Sequence, residues 1–234
     1  MAYSAIKKCL LKIIILTSVF IYNFIIICSA KEQVINFSSN AKKTYIILID
    51  VDDNVMGVFE NGILSKTYAV GSGKYSTPSP LGTWKIIIKD TWGEGFGGYF
   101  MGFNVPWGKY GIHGTIYPES IGWNSSHGCI RMRNSDVFEL YKKIPYGTTV
   151  IIKSSCSGNF GSYLRTLKPG MRSSDVYEVQ RLLKQKGYYK GTLNGIYGEY
   201  MKSAVHKFQK DNKIAVSDNI YTSFYKKLGM LLMD

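Results

Sequence analysis

Histidine is scarce in this chain, with three in 234 residues, and a site built from many imidazoles is excluded at once. Cysteine is also sparse, with four. Two of these, Cys9 and Cys28, fall in the first thirty residues, so a disulfide-rich scaffold is excluded too. Acidic residues number 16 against 29 basic ones, a formal net charge of +13. That balance favours anionic partners. The basic residues are spread along the chain and form no single run, which counts against nucleic acid. Charged residues make up 19% and hydrophobic ones 45%, so disorder is not expected.

Long hydrophobic runs are absent apart from one, Ile13 through Cys28. Lys7, Lys8 and Lys12 precede it, and Cys28-Ser29-Ala30 fits a small-x-small cleavage site. The run is short for a bilayer span. Residues 1–30 read as a signal peptide or a membrane anchor, and either places residues 31–234 outside the cytoplasm. Without the three lysines the remainder carries +10. Lipidation at Cys28 would call for small residues just before it, and Ile25-Ile26-Ile27 stands there instead.

Small polar residues and turn formers divide the rest. Tyr45 to Ile49, Val55 to Phe59 and Ile63 to Val70 read as strands, with Asn61-Gly62 as a hairpin turn. Asp50, Asp52 and Asn54 have the spacing of a calcium loop. Val55 replaces its glycine and Asn61 its final glutamate, so that reading fails. Pro78 and Pro80 fix a rigid loop over Ser76–Thr83. Trp84 to Ile88 and Thr148 to Lys153 are further strands. Residues 91–111, rich in glycine and aromatics, either pack in a core or cover a site. Asn134 or Ser135 is placed to cap a helix with Val137, Leu140, Tyr141 and Ile144 on one face. Residues 154–165 read as a linker. Beyond it the apolar period becomes 3.6: Val176, Val179 and Leu183, then Met201, Ala204, Val205 and Phe208, then Phe224 and Leu228. Asp175 and Glu178 have capping-box spacing, and Gly187 ends the first of these helices.

The chemistry concentrates in residues 113–134. His113-Gly114-Thr115 is followed by Ser126-His127-Gly128-Cys129-Ile130-Arg131-Met132-Arg133-Asn134. A thiol nucleophile needs a base nearby and free backbone N–H groups for an oxyanion. On extended chain, His127, Cys129, Arg131 and Arg133 share one face, while Ile130 and Met132 face a core. Gly128 permits close approach of a substrate to the backbone. Three other readings compete. A disulfide from Cys129 to Cys156 is one, opposed by the histidines around Cys129. A zinc site is another, but it needs one or two further ligands, and none stands nearby. Arg131 as a plain surface charge is the third. His206 reads as a solvated residue.

This stretch resembles the signature of the L,D-transpeptidase family of bacterial cell-wall enzymes, and Ser76–Thr83 resembles that family's upstream proline-rich loop. The resemblance covers residues 44–153. It implies a mainly β catalytic domain, a sandwich or barrel with one short helix. It also implies Cys129 as nucleophile, His113 as base and the Gly114 carbonyl as the group that orients the base. Ser126, His127, Gly128, Arg131 and Asn134 would shape the substrate site, with no metal and no cofactor. Residues 166–231 resemble a small all-α, three-helix peptidoglycan-binding domain, through Leu167-Lys168-Pro169-Gly170, Asp175-Val176, Val179-Gln180, Asn194-Gly195, Tyr197-Gly198 and Phe208-Gln209. They depart from it at Asn194, where aspartate is usual, and at Glu199-Tyr200-Met201. The implied enzyme is secreted, at the cell wall or the outer face of the cytoplasmic membrane. It would act on peptidoglycan, taking a tetrapeptide donor stem and an acceptor stem amine, with anionic wall polymers as further partners and no nucleic acid. It would expel the terminal D-alanine and form 3–3 cross-links. An L,D-carboxypeptidase and a non-catalytic wall-binding protein are the alternatives.

Overall fold

The computed structural model describes residues 43–154, 160 and 164–230. Residues 1–42, with the expected leader or anchor, lie outside the described residues, as do Cys156 and most of the expected linker.

Alternating apolar residues build the sheet. In β1 (Tyr45–Asp50), Ile47 and Ile49 are fully buried. β1 pairs antiparallel with β2 (Val55–Glu60), Ile47 opposite Val58. Asn61 and Gly62 then adopt φ of +52° and +81°. Two successive positive φ values suit the twist of a tight hairpin, and β3 (Ile63–Ala69) returns along β2. On the other side β1 pairs in parallel with β10 (Thr149–Lys153). Next come β5 (Gly82–Asp90), β6 (Phe100–Phe103), β7 (Gly111–His113) and β9 (Ile130–Arg131). The eight-stranded order is β3-β2-β1-β10-β5-β6-β7-β9, and β4 (Ser72–Gly73) with β8 (Asn124–Ser126) forms a separate parallel ribbon. The mainly β expectation holds.

The 91–111 region divides between the two roles expected for it. It holds a 3-10 turn (Glu94–Phe96), the wholly buried strand β6 and the loop into β7. Helix α1 (Asn134–Lys143) lays Val137 and Leu140 into the core, and Ile144 follows. Each such fully buried aliphatic side chain contributes about 1.5–3 kcal/mol. The cap expected from Asn134 or Ser135 is not formed. Arg133 holds the cap position without a side-chain bond, because the Asn134 amide is engaged elsewhere. Asp50 likewise serves the turn after β1, accepting from the Asp52 and Asp53 N–H groups and pairing with Lys153.

Three further helices follow: α2 (Ser174–Gln185), α3 (Glu199–Asp211) and α4 (Thr222–Leu228). Their shared core holds Val176, Val179, Leu183, Val205, Phe208 and Phe224. The capping box is absent. Ser173 is the cap residue, Asp175 is bidentate to Arg165 at 2.8 and 3.1 Å, and Glu178 turns to Arg181. His206, expected to be solvated, has its Nε2 2.8 Å from an Asp218 carboxylate oxygen. The described residues from Thr44 onward belong to one compact unit. Within it Tyr177 of α2 packs on Trp84 and Trp107 of the β part, with ring centroids 6.1 and 5.6 Å away.

Candidate active site

Two neighbouring strands bring the site together. β7 and β9 run parallel, with Ile112 beside Ile130 and His113 beside Arg131. Ile112, Ile130 and Met132 are fully buried, so the alternation turns His113, Cys129 and Arg131 to the opposite face. The Met132 N–H donates to the His113 carbonyl at 2.9 Å and locks the strands in register. Cys129, just ahead of β9, carries a free thiol and is half-buried.

The turn before Cys129 is held by one hydroxyl. Ser126 is 2% exposed. Its Oγ donates to the Cys129 carbonyl at 2.6 Å and accepts from the Gly128 N–H at 2.9 Å. Gly128 sits at φ +112°. A Cβ there would stand 2.6 Å from the Tyr110 ring and 3.2 Å from the Pro78 carbonyl, so only glycine fits. The proline-rich loop buttresses this turn from behind. The Lys74 N–H and the Thr77 hydroxyl both donate to the Ser126 carbonyl, at 3.0 and 3.1 Å. Ser79 Oγ accepts from the Gly73 N–H, and the Trp84 indole donates to the Pro80 carbonyl at 2.7 Å.

His113 is 6% exposed and its Nδ1 lies 2.5 Å from the Gly114 carbonyl. A carbonyl only accepts, so that nitrogen carries the proton and Nε2 is left as the basic atom. Asn134 fixes the same turn. Its Oδ1 accepts from the Thr115 N–H at 2.8 Å and also lies against Gly97 and Gly114, each too close for a Cβ. The Phe96 ring meets the imidazole edge-on, centroids 5.1 Å apart.

The electrostatics favour a neutral pair. Burial pushes the His113 imidazole below its ordinary value; its bond to Gly114 opposes this and the Arg131 charge adds to it. Burial pushes the Cys129 thiol up, opposed by the Gly111 backbone N–H and by Arg131. A neutral thiol and a neutral imidazole whose Nε2 is unprotonated, carried on paired strands, suit proton transfer during attack. His127 is exposed at the rim, and Arg131 is half-buried on the sheet face that holds His113.

The model of the YkuD L,D-transpeptidase catalytic domain matches residues 44–152, and that of a "Putative peptidoglycan binding domain" matches residues 172–218. "Putative L,D-transpeptidase YqjB" of Bacillus subtilis is 32% identical over 127 residues, covering 47% of this chain and 67% of that protein. The chain belongs to the L,D-transpeptidase family. "Putative L,D-transpeptidase YkuD" of Bacillus licheniformis is 39% identical over 109 residues, 46% of this chain and 65% of that protein. The chain thus spans just under two thirds of that relative. A solved L,D-transpeptidase from Mycobacterium smegmatis aligns with a TM-score of 0.43 and 22% identity, over 49% of this chain and 61% of that one.

The structure brings Ser126, Gly128, Cys129, Arg131, His113, Gly114 and Asn134 of this L,D-transpeptidase family member into one neighbourhood, and leaves His127 outermost. Sequence reasoning missed Tyr110, Gly111, Phe96, Gly97 and the Trp84–Trp107 pair. The glycine-rich and aromatic composition of 91–111 was the one signal for all of these but Trp84, which stands in β5. It marked the region without saying which ring meets which backbone.

Proposed function

We propose that the chain is a secreted cysteine L,D-transpeptidase acting on peptidoglycan stems. The observation that carries this is His113, with its Nδ1 bonded to the Gly114 carbonyl, on a strand paired in parallel with the strand that Cys129 leads into. Cys129 Sγ attacks the carbonyl of the third stem residue while its proton passes to His113 Nε2. The Gly128 N–H already bonds Ser126, so the developing oxyanion is assigned to the Cys129 amide, with the Gly111 N–H also facing the thiol. Collapse breaks the peptide bond, gives a thioester and returns the proton from His113 to the departing D-alanine amine. An acceptor stem amine then attacks the thioester, loses a proton to His113 and forms the new amide, releasing the thiol. The product is a 3–3 cross-link. Arg131, positive and beside His113, offers charge to a substrate carboxylate. The match of residues 172–218 supports retention at the wall by the helical part. The leader-like residues 1–30 support action outside the cytoplasm.

The test is mass spectrometry of tetrapeptide stems after incubation with the protein. A thioester adduct on Cys129, loss of D-alanine and a cross-linked dimer are expected. Loss of D-alanine with tripeptide alone would make water the acceptor and the protein a carboxypeptidase. No adduct and no release would overturn the proposal.

A further inference from the structure

The helical part reaches the machinery around Cys129 by way of Trp107. This residue lies at the turn between β6 and β7 and is 6% exposed. One side of its indole faces the helical part. Tyr177 of α2 packs against it, and Gly195 lies so close that a Cβ would stand 2.2 Å from the ring. Gly195 is itself rigidly held. It sits at φ +66°, its N–H donates to the Gln180 side-chain oxygen at 2.9 Å, and its carbonyl accepts from the Ser173 N–H at 3.0 Å. Gln180 is fully buried. The helical part therefore presents a fixed ledge to the indole.

From Trp107 two branches reach the reacting groups. The first runs through Trp84, edge-on at 5.3 Å, whose indole N–H holds the Pro80 carbonyl. That loop carries Pro78, whose carbonyl lies against Gly128. The second runs along the chain itself. The Phe103 N–H closes the turn onto the Tyr110 carbonyl at 2.8 Å, the Tyr110 ring covers Gly128, and the next residues are β7 with Gly111 and His113. Both branches end on the turn that aims Cys129, and the second also sets the strand that carries the base.

We propose that Trp107 is a positioning residue through which the helical part holds the Cys129 turn and the His113 strand in reacting geometry. The inference rests on the reading of Cys129 and His113 as nucleophile and base. It goes beyond that reading in giving residues 174–228 a role in turnover of soluble substrate, where retention at a wall contributes nothing. A displacement near 1 Å in a catalytic group costs up to about 10²-fold in rate, so a modest shift of the indole suffices.

The experiment compares full-chain wild type with Gly195→Ala, Tyr177→Leu and Trp107→Phe, each checked for folding by thermal melting. Two quantities are read: kcat and KM for D-alanine release from soluble tetrapeptide, and the pH profile of Cys129 alkylation by iodoacetamide. Gly195→Ala and Tyr177→Leu should lower kcat about tenfold or more, with KM within about twofold, and should displace the alkylation midpoint. Trp107→Phe, which keeps a ring in the stack, should retain most of kcat. Folded Gly195→Ala with wild-type kcat and a wild-type alkylation profile would overturn the inference. If Gly195→Ala does not fold, Tyr177→Leu, which adds no bulk, decides the question by the same two readouts. If wild type releases no D-alanine, the functional reading fails, and the alkylation profiles still decide whether Trp107 positions the cysteine.

Discussion

Replacing Ser126 by alanine isolates the part played by the turn before the nucleophile. The hydroxyl makes two bonds inside the protein, donating to the Cys129 carbonyl and accepting from the Gly128 N–H. Alanine removes both and leaves that N–H buried without a partner. Two hydrogen bonds at about 1 kcal/mol each, with part of the penalty for an orphaned donor, give a loss of about 2–3 kcal/mol. For a chain of this size that is roughly 4–12 °C in Tm. The effect on chemistry should be larger than on stability alone. Gly128 at φ +112° is held in place partly by this bond, and the Cys129 amide moves with it. Acyl-enzyme formation, followed by intact-protein mass spectrometry against time, should slow at least tenfold at a temperature where the variant is fully folded. Ser125→Ala, at an exposed neighbour, is the control and should change Tm by less than about 2 °C. Ser126→Ala with wild-type Tm and a wild-type acylation rate would show that the hydroxyl does not hold the turn.

Cys129→Ala should abolish the acyl adduct, and His113→Ala should nearly do so; release of D-alanine by folded Cys129→Ala would disprove the nucleophile. Arg131 lowers the pKa of both His113 and Cys129. Neutralising it in Arg131→Gln should raise both, so the acid limb of kcat against pH, set by the neutral imidazole, should move to higher pH; an unmoved limb would separate Arg131 from the base. Residues 44–153 expressed alone would uncover Trp84 and Trp107, now 7% and 6% exposed, and should melt lower than the same residues in the full chain. Equal melting of the two would mean that the aromatic seam adds nothing to stability.

The nearest-neighbour features were the ones the sequence displayed. The Asn61-Gly62 turn, the alternation of β1 and the 3.6-residue stripe of α3 are local, and each forms where its pattern stands. His113 and Cys129 were legible as candidates because both lie in one compact motif. Side chains that reach across the chain stayed hidden. Asn134 looks like a helix cap, yet a backbone N–H nineteen residues earlier claims its oxygen. Asp175 and Glu178 have the spacing of a reciprocal cap, yet each has an arginine within reach, and a charged partner draws a carboxylate away from a backbone amide. Nothing in the composition of 91–111 marks Trp107 as the contact for Gly195, because that meeting depends on how the helical part packs on the sheet.

The place of β1 in the sheet bears on how the chain can fold. Its partner β2 is next in sequence, but its other partner, β10, is about 103 residues away, as the Asp50–Lys153 pair shows. The hairpin of β1 to β3 can form early. Until β10 arrives, one edge of β1 shows unpaired N–H and C=O groups beside Ile47 and Ile49. Such an edge is a template for another chain, and contacts of long sequence separation form slowly. The interval before residue 153 joins the sheet is therefore the time of greatest exposure to aggregation.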